Sequence, residues 1–126
     1  MAYEAPGFSW TLVAAADYSA SQFRFIDVQA ATGKGLAPSV AGQRVVGVRQ
    51  NKPKANEAAT VVSSGISIVE AGAAVTVGDD VMTDTSGRCI TAATAGSKIA
   101  GIALETASGA GIKIAVLLAP GNKSIF

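Results

Sequence analysis

Short apolar segments alternate with turn residues along most of this chain, and no long helical period appears. In the segment QFRFIDVQ, Phe23, Phe25 and Asp27 share one face of a period-two pattern, whereas Ile26 and Val28 occupy the other. The later segments, rich in Val, Ile and Thr, are RVVGVRQ, ATVV, GISIVE, AAVTVG, DDVMT, RCIT, KIAGIALE and IKIAVLLA. Many short strands separated by Gly or Pro predict an all-β fold, either a small β-barrel or a β-sandwich.

The chain of 126 residues is long enough for one domain with its own core. Residues 1–10, MAYEAPGFSW, predict an extended N-terminal arm because Pro6 and Gly7 interrupt any regular element. Residues 11–126 are then expected to form a single β-rich domain. The alanine-rich stretches LVAAADYSASQ and TAATAGS are each long enough for a helical turn, but neither has a helical apolar face.

Small side chains dominate the composition, with 25 alanines and 14 glycines among the 126 residues. A core built from such side chains must rely on close packing of the backbone. Only 15% of the residues are charged, against roughly a quarter in a typical soluble domain. A surface so poor in charge favours self-association or docking onto a larger assembly.

The chain contains no histidine and a single cysteine, Cys89. This excludes Ser-His-Asp and Cys-His nucleophile systems, His-based metal sites, an internal disulfide and a Cys-rich zinc site. Cys89 lies in an apolar strand and is predicted to be a buried core residue. We therefore expect no cofactor, and the cysteine usage favours synthesis in a cytoplasm.

The net charge of +1 argues against a nucleic-acid partner, because dedicated binders usually have a marked basic excess. No apolar run approaches the ~20 residues needed to cross a membrane. No Lys or Arg precedes the apolar stretch near the N-terminus, as a signal peptide would require. We expect neither a nucleic-acid nor a membrane partner.

Three aspartates, Asp79, Asp80 and Asp84, lie among glycines in VTVGDDVMTDTSGRC. A calcium loop needs oxygen ligands at alternate positions, and adjacent residues of a strand point to opposite faces. VGDDV instead predicts a turn that leads into a strand, and TDTSGRCI predicts a hairpin loop closed by Gly87. A hydrolase that uses two of these carboxylates remains an alternative.

Charge is distributed unevenly along the chain. Residues 43–57 have a net charge of +3 from the basic residues Arg44, Arg49, Lys52 and Lys54 and from Glu57. Residues 70–87 have a net charge of −4, to which Asp79 and Asp80 contribute. Two interpretations stay open. In the first, both segments are solvated loops. In the second, the two charged segments form complementary patches that contact each other between subunits or contact a partner.

The aromatic residues are concentrated at the start of the chain, with six of seven in the first 25 residues. Tyr3, Phe8 and Trp10 lie in the predicted arm, where the domain's own core is less able to bury them. We favour an arm that packs on a neighbouring molecule and uses these three side chains as anchors. The alternative is an arm that folds back onto its own domain.

The segment IAGIALE is apolar on both faces, as in a strand that is covered on both sides. Gly101 and Ala103 share one face with Ile99, and Ile102 lies on the other. This pattern predicts a strand near a subunit interface, with Gly101 and Ala103 at the contact. A sandwich core would give the same pattern.

Three groups of segments resemble the small capsid decoration, or cement, proteins of tailed bacteriophages. They are DYSASQFRFIDV, then VVGVRQNKPKANEAATVVSSGISIVEAGAAVTVGDDVMTDTSGRCITA, then IAGIALETASGAGIKIAVLL. The resemblance extends from about Asp17 to Ala119, and the order and spacing of the segments agree. Its most specific parts are GVRQNKP, VEAGAAVTVGDDVMTDTSGR and GIALETASGAGIKIAVLL.

The resemblance implies a structural protein without enzymatic activity. It implies binding to the outer surface of a shell made of a major capsid protein with the HK97-type fold, commonly as a homotrimer that holds capsomers together. A protein of this kind is made in the cytoplasm of the host bacterium and ends on the virion surface. Alternatives are a minor head-completion or tail protein, the carboxylate hydrolase above, and a carbohydrate-binding protein.

Overall fold

The computed structural model describes residues 4–93 and 95–124, with side chains as far as residue 119. In these ranges the chain forms eleven β-strands and no helix, which confirms the predicted all-β fold. No helix of the described part is therefore available to span a membrane. The strands are β1 (Ala5–Pro6), β2 (Ser9–Val13), β3 (Phe25–Val28), β4 (Gly35–Leu36), β5 (Gly47–Arg49), β6 (Ala58–Val62), β7 (Gly65–Glu70), β8 (Asp80–Thr83), β9 (Cys89–Thr91), β10 (Lys98–Ala103) and β11 (Lys113–Ser124).

Six strands form an antiparallel sheet in the order β1-β7-β11-β10-β8-β9. β11, the last strand along the chain, lies in the middle and pairs with β7 on one side and β10 on the other. The register of β10 against β11 shifts between Ile99 and Gly101, as at a β-bulge. The close backbone packing expected from the small residues occurs here, because a Cβ on Gly101 would overlap the carbonyl oxygen of Leu117.

The other five strands form a second antiparallel sheet in the order β2-β6-β5-β3-β4. A single bridge between Ala14 and Gly35 brings its two edges together. Position 35 has little room for a side chain, because a Cβ there would lie 2.6 Å from Cδ1 of Ile26. One bridge does not close the sheet into a barrel. Of the two architectures that the sequence predicts, a β-barrel and a β-sandwich, the structure is therefore the sandwich.

The main core joins the two sheets and includes Phe25 and Val116. A smaller core consists of Leu12, Ile26, Ala59 and Val61, with Trp10, Val28 and Val46 packed against it. Because adjacent strand residues point to opposite faces, β3 buries Phe25 in the main core and Ile26 in the smaller one. Phe23 differs from its prediction: it lies outside β3, with a left-handed φ of +62°.

The N-terminal segment connects the two sheets. Ala5 and Pro6 pair with β7 at the edge of the six-stranded sheet, and β2 begins at Ser9. Pro6 is tolerated because an edge strand needs no donor on its outer side, and the Gly7 N–H donates to the carbonyl of Ser64 at 2.9 Å. The boundary expected after residue 10 therefore falls inside β2, and the segment from Ala5 onward is hydrogen-bonded to the domain.

Candidate functional site

The aspartate-rich segment forms turns, as the sequence predicts. Asp84 Oδ1 accepts hydrogen bonds from the N–H groups of Ser86 and Arg88, both at 2.8 Å, and Oδ2 accepts one from Arg88 Nε at 3.2 Å. Gly87 has a φ of +84°, which closes the hairpin between β8 and β9. Within residues 4–93 and 95–124 no three acidic or thiol side chains are placed to hold a metal ion. The oxygens of Asp84 are occupied by the turn itself.

Asp79 and Asp80 differ in their surroundings. Asp79 Oδ2 accepts from the Thr76 N–H and from Thr91 Oγ1, both at 3.1 Å, so this carboxylate holds the turn before β8. Asp80 begins β8 and is exposed. Their role at a subunit interface stays a prediction.

The prediction that Arg49 belongs to a basic contact surface is wrong, because Arg49 is fully buried. Its guanidinium carbon lies 4.4 Å from the centre of the Tyr18 ring, and Nη1 donates to Ser21 Oγ at 2.8 Å. Nε has no hydrogen-bond partner in the described part of the chain. Burial lowers the pKa of Arg49 to about 10. The long side chain turns inward because its aliphatic stem and the aromatic ring suit the interior, so Arg49 is not available to a partner.

The other three basic residues of the predicted contact lie on the surface. Arg44 is exposed and forms an ion pair with Asp27 at 3.2 Å. Lys52 and Lys54 are exposed on the loop between β5 and β6. The acidic segment is also partly neutralised within the chain, since Glu70 pairs with Arg24 at 3.2 Å. The ion pairs thus leave each segment with a smaller net charge than its sequence indicates. A contact between the two segments stays a prediction.

The aromatic anchors separate into different environments, and Tyr3 lies outside the described residues. Trp10 is half-buried against the smaller core, and its indole N–H donates to Ser63 Oγ at 2.6 Å. This agrees with the alternative in which the segment folds back. Phe8 differs, because 60% of its surface is exposed although the backbone on both sides is paired. Of the two described anchors, Phe8 is the one with a largely exposed aromatic surface, and its contact with a partner stays a prediction.

Gly101 and Ala103 are buried against their own domain, which corrects their prediction as subunit contacts. Gly101 lies against β11, and Ala103 belongs to the main core. The physical reason is the β-bulge between Ile99 and Gly101, which interrupts the alternation, so that residues 99–101 are all buried. The sequence pattern was compatible with this outcome, but it did not distinguish a sandwich core from a subunit interface.

Ile102, between Gly101 and Ala103 on the same strand, is apolar and exposed. Ile102 pairs with Leu117, and Leu117 pairs with Ile66 on the next strand, so the three form a row across β10, β11 and β7. Ile102 is 39% exposed and Leu117 is 42% exposed, whereas Ile66 is partly covered. The outer face of an antiparallel sheet is commonly polar, and exposed apolar patches mark contact sites. We call Ile66, Leu117 and Ile102 the apolar row.

Sequence reasoning did not identify the apolar row. The apolar character of both faces of KIAGIALE was visible, and so was that of IKIAVLLA. The pairing register of Ile102 with Leu117 was not, because it depends on the β-bulge between Ile99 and Gly101. That register decides which apolar side chains become neighbours.

The comparisons with known proteins agree with a structural role. The family model described as "Phage cement protein" matches residues 5–118. The crystal structure of the head fiber gp8.5 N base in bacteriophage phi29 is similar, with a TM-score of 0.70 at 16% identity, covering 89% of this chain and 93% of that one. At this identity the likeness shows the fold alone. No curated protein matches the chain.

The family match covers most of the chain, including every strand from β1 to β10 and the first half of β11. It agrees with the resemblance read from the sequence. The family is that of proteins associated with the phage capsid, which places the function in the virion rather than in metabolism. The chain belongs to the phage cement protein family and is an all-β structural component of the bacteriophage head.

Proposed function

We propose that this protein decorates the outer surface of a capsid built from a major capsid protein with the HK97-type fold. It is made in the cytoplasm of the host bacterium and binds after the shell has formed. There it stabilises contacts between neighbouring capsomers, and it has no enzymatic activity. The observation that supports this proposal most directly is the apolar row, which a monomer in water would leave exposed.

The apolar row supports self-association into a homotrimer. It crosses three neighbouring strands of one sheet, and β11 in the middle pairs with both of the others, so its backbone is held rigidly. Burying these side chains against a second copy removes apolar surface from water at about 25 cal/mol per Å². A symmetric oligomer then presents several identical contact surfaces to the shell at once.

Multivalency explains how weak contacts stabilise a shell. After the first subunit of an oligomer binds, the next contacts are effectively intramolecular. Because the oligomer binds the assembled shell and not its separated parts, it shifts the equilibrium towards the intact capsid. Phe8, Arg44, Lys52 and Lys54, together with Tyr3 outside the described residues, are the side chains that we propose as capsid contacts.

Sedimentation velocity tests the trimer. We expect the wild-type protein to sediment as a trimer and Leu117→Lys to sediment as a monomer that remains folded by circular dichroism. Thr11→Lys is the matched control, because Thr11 is an exposed strand residue of the other sheet. A wild-type protein that sediments as a monomer at high concentration would refute the trimer.

Shell binding tests the decoration. Empty shells prepared without this protein should bind it on their exterior, in hundreds of copies, and should then dissociate at a higher temperature. Phe8→Ser should weaken binding while leaving the fold intact, since the side chain packs against little of its own domain. We prefer this substitution to deletion of residues 1–10, because the deletion would remove strand β1 and the start of β2.

A head-completion or tail role is the second candidate. It is favoured by the similarity to a head fibre base, which shows that this fold is used elsewhere on a phage head. Copy number distinguishes the two, because decoration requires hundreds of copies per particle and a connector requires about a dozen or fewer. Quantitative mass spectrometry of purified virions would decide between them.

A further inference from the structure

A small cleft opens where three segments of the chain meet. They are the turn before β3, the loop after β5, and the paired strand ends at Glu70 and Lys113, which are register partners. The cleft has a volume of about 240 Å³. Its lining residues are Ser19, Ala20, Gln22, Lys52, Glu70 and Lys113.

Hydrogen bonds within the chain hold the walls in place. The backbone N–H and the hydroxyl of Ser19 donate to Asp17, at 2.9 and 2.6 Å. Gln22 Nε2 donates to the carbonyl of Gln50 at 2.7 Å, which ties the turn to the loop after β5. Because both walls are fixed in the free protein, a ligand would not have to order them.

The cations of the chain are divided between those that are paired and those that are not. Three arginines form ion pairs with carboxylates, and Arg49 is buried against Tyr18. Lys34 donates to Asn56 at 2.8 Å. Lys52 and Lys113 are exposed, and their ammonium groups have no hydrogen bond or ion pair within the described residues, yet both side chains line this one cleft.

Glu70 is the one acidic residue among the lining residues, and an ion pair with Arg24 neutralises its charge. Arg24 binds both carboxylate oxygens of Glu70, at 3.2 and 3.4 Å. The lining residues alone have a net charge of +1, and the two ammonium groups are its unpaired charges. The cleft therefore offers two free cationic donors on a preformed surface.

We propose that this cleft binds the carboxylate of an aspartate or glutamate side chain of a capsid subunit. The inference rests on the proposed function, and it specifies the chemistry of one contact. A carboxylate between two ammonium groups forms charge-assisted hydrogen bonds, which are stronger than neutral ones. The volume accommodates one or two side chains rather than a polymer backbone.

The lining favours a carboxylate over a phosphate. Bidentate recognition of phosphate is the usual task of arginine, and the arginine nearest to the cleft, Arg24, is already bound to Glu70. The chain also lacks the basic excess of a nucleic-acid-binding protein.

Shell binding with charge-reversed variants tests the inference. We expect the double variant Lys52→Glu/Lys113→Glu to bind empty shells at least about 30-fold more weakly than the wild type, as for other desolvated charge contacts. The matched control is Lys34→Glu, a lysine outside the cleft, whose affinity should change by less than about 3-fold. Both variants should retain the circular dichroism spectrum and melting temperature of the wild type.

Competition identifies the class of ligand. A glutamate oligomer should displace the wild-type protein from shells, and duplex DNA at the same concentration of negative charge should not. In a nuclear magnetic resonance titration, the same oligomer should shift the signals of Lys52 and Lys113 and leave Lys34 unchanged. Displacement by DNA alone would overturn the carboxylate assignment.

The two proposals fail in different ways. Wild-type protein that does not bind shells would refute the decoration function, and the inference with it. Wild-type protein that binds shells, together with a double variant that binds equally well, would refute only the carboxylate cleft. Weaker binding of both the double variant and Lys34→Glu would also refute it, because general surface charge would then account for the loss.

Discussion

Replacement of Arg49 by methionine should make the domain more stable at neutral pH. The guanidinium is fully buried with no carboxylate partner, and its pKa falls to about 10 because of burial. Methionine has a similar length, keeps contact with the Tyr18 ring, and removes the charge. Arg49→Ala is the control, because it removes the same charge but leaves a cavity.

The magnitude follows from the pKa and from the contacts. The decrease of the Arg49 pKa from its ordinary value to about 10 corresponds to about 3 kcal/mol against the charged form. The contact with the ring at 4.4 Å offsets about 2 kcal/mol of this, as for desolvated cation–π pairs. Ser21 is only partly buried and can replace its lost donor with water. Arg49→Met should therefore be about 1 kcal/mol more stable, and Arg49→Ala about 3 kcal/mol less stable than Arg49→Met.

Chemical denaturation at several pH values measures this effect. Because the folded-state pKa lies below the unfolded one, the cost of the buried charge is present in full below about pH 10 and disappears as the pH rises towards the ordinary pKa of arginine. The advantage of Arg49→Met over the wild type should thus shrink above about pH 10. A methionine variant that is less stable than the wild type by more than about 1 kcal/mol at neutral pH would refute the reasoning, because the buried charge would then be net stabilising.

Three further substitutions test the core and the turns. Burial raises the pKa of Cys89 from 9.0 to about 12. The free energy of unfolding of the wild type should therefore be unaffected by this thiol below about pH 9 and should fall above it by about 1 kcal/mol per pH unit. Cys89→Ala should not show this decrease in urea denaturation. Gly101→Ala should cost about 2 kcal/mol, because its Cβ would overlap the backbone of β11, whereas Gly109→Ala, with no atom within 4 Å, should change stability by less than about 0.5 kcal/mol. Asp84→Ala should lower the melting temperature by removing the two backbone hydrogen bonds of the hairpin, at a cost of about 1–2 kcal/mol, without changing shell binding; loss of binding with an unchanged melting temperature would contradict its structural role.

The fold class could be predicted because each strand is short and turn residues mark where it begins and ends. Gly87 and Asp84 mark the β8–β9 hairpin in the sequence, and the structure places the turn there. The buried thiol of Cys89 followed from its apolar neighbours and was confirmed. These features depend on residues that are close in sequence, so the local pattern contains the information.

The site could not be predicted to the same extent, because it depends on contacts between distant segments. Arg49 looked like part of a basic surface patch, but its orientation is fixed by Tyr18, which lies 31 positions earlier in the sequence. Lys113 reaches the cleft through the pairing of β7 with β11, and Lys52 reaches it from the separate loop after β5. Similarly, the burial of Gly101 and Ala103 in their own domain could not be predicted, because a subunit interface and a sandwich core give the same sequence pattern.

The position of β11 affects how the chain acquires its structure during synthesis. The strand furthest along the chain occupies the middle of the six-stranded sheet, so β7 and β10 have no neighbour between them until residues 113–124 have left the ribosome. Until then, their apolar edges are exposed to other nascent chains, a situation that favours aggregation. We expect slow folding that cannot be completed before β11 has been synthesised, dominated by contacts distant in sequence, and a yield in the host that depends on chaperones.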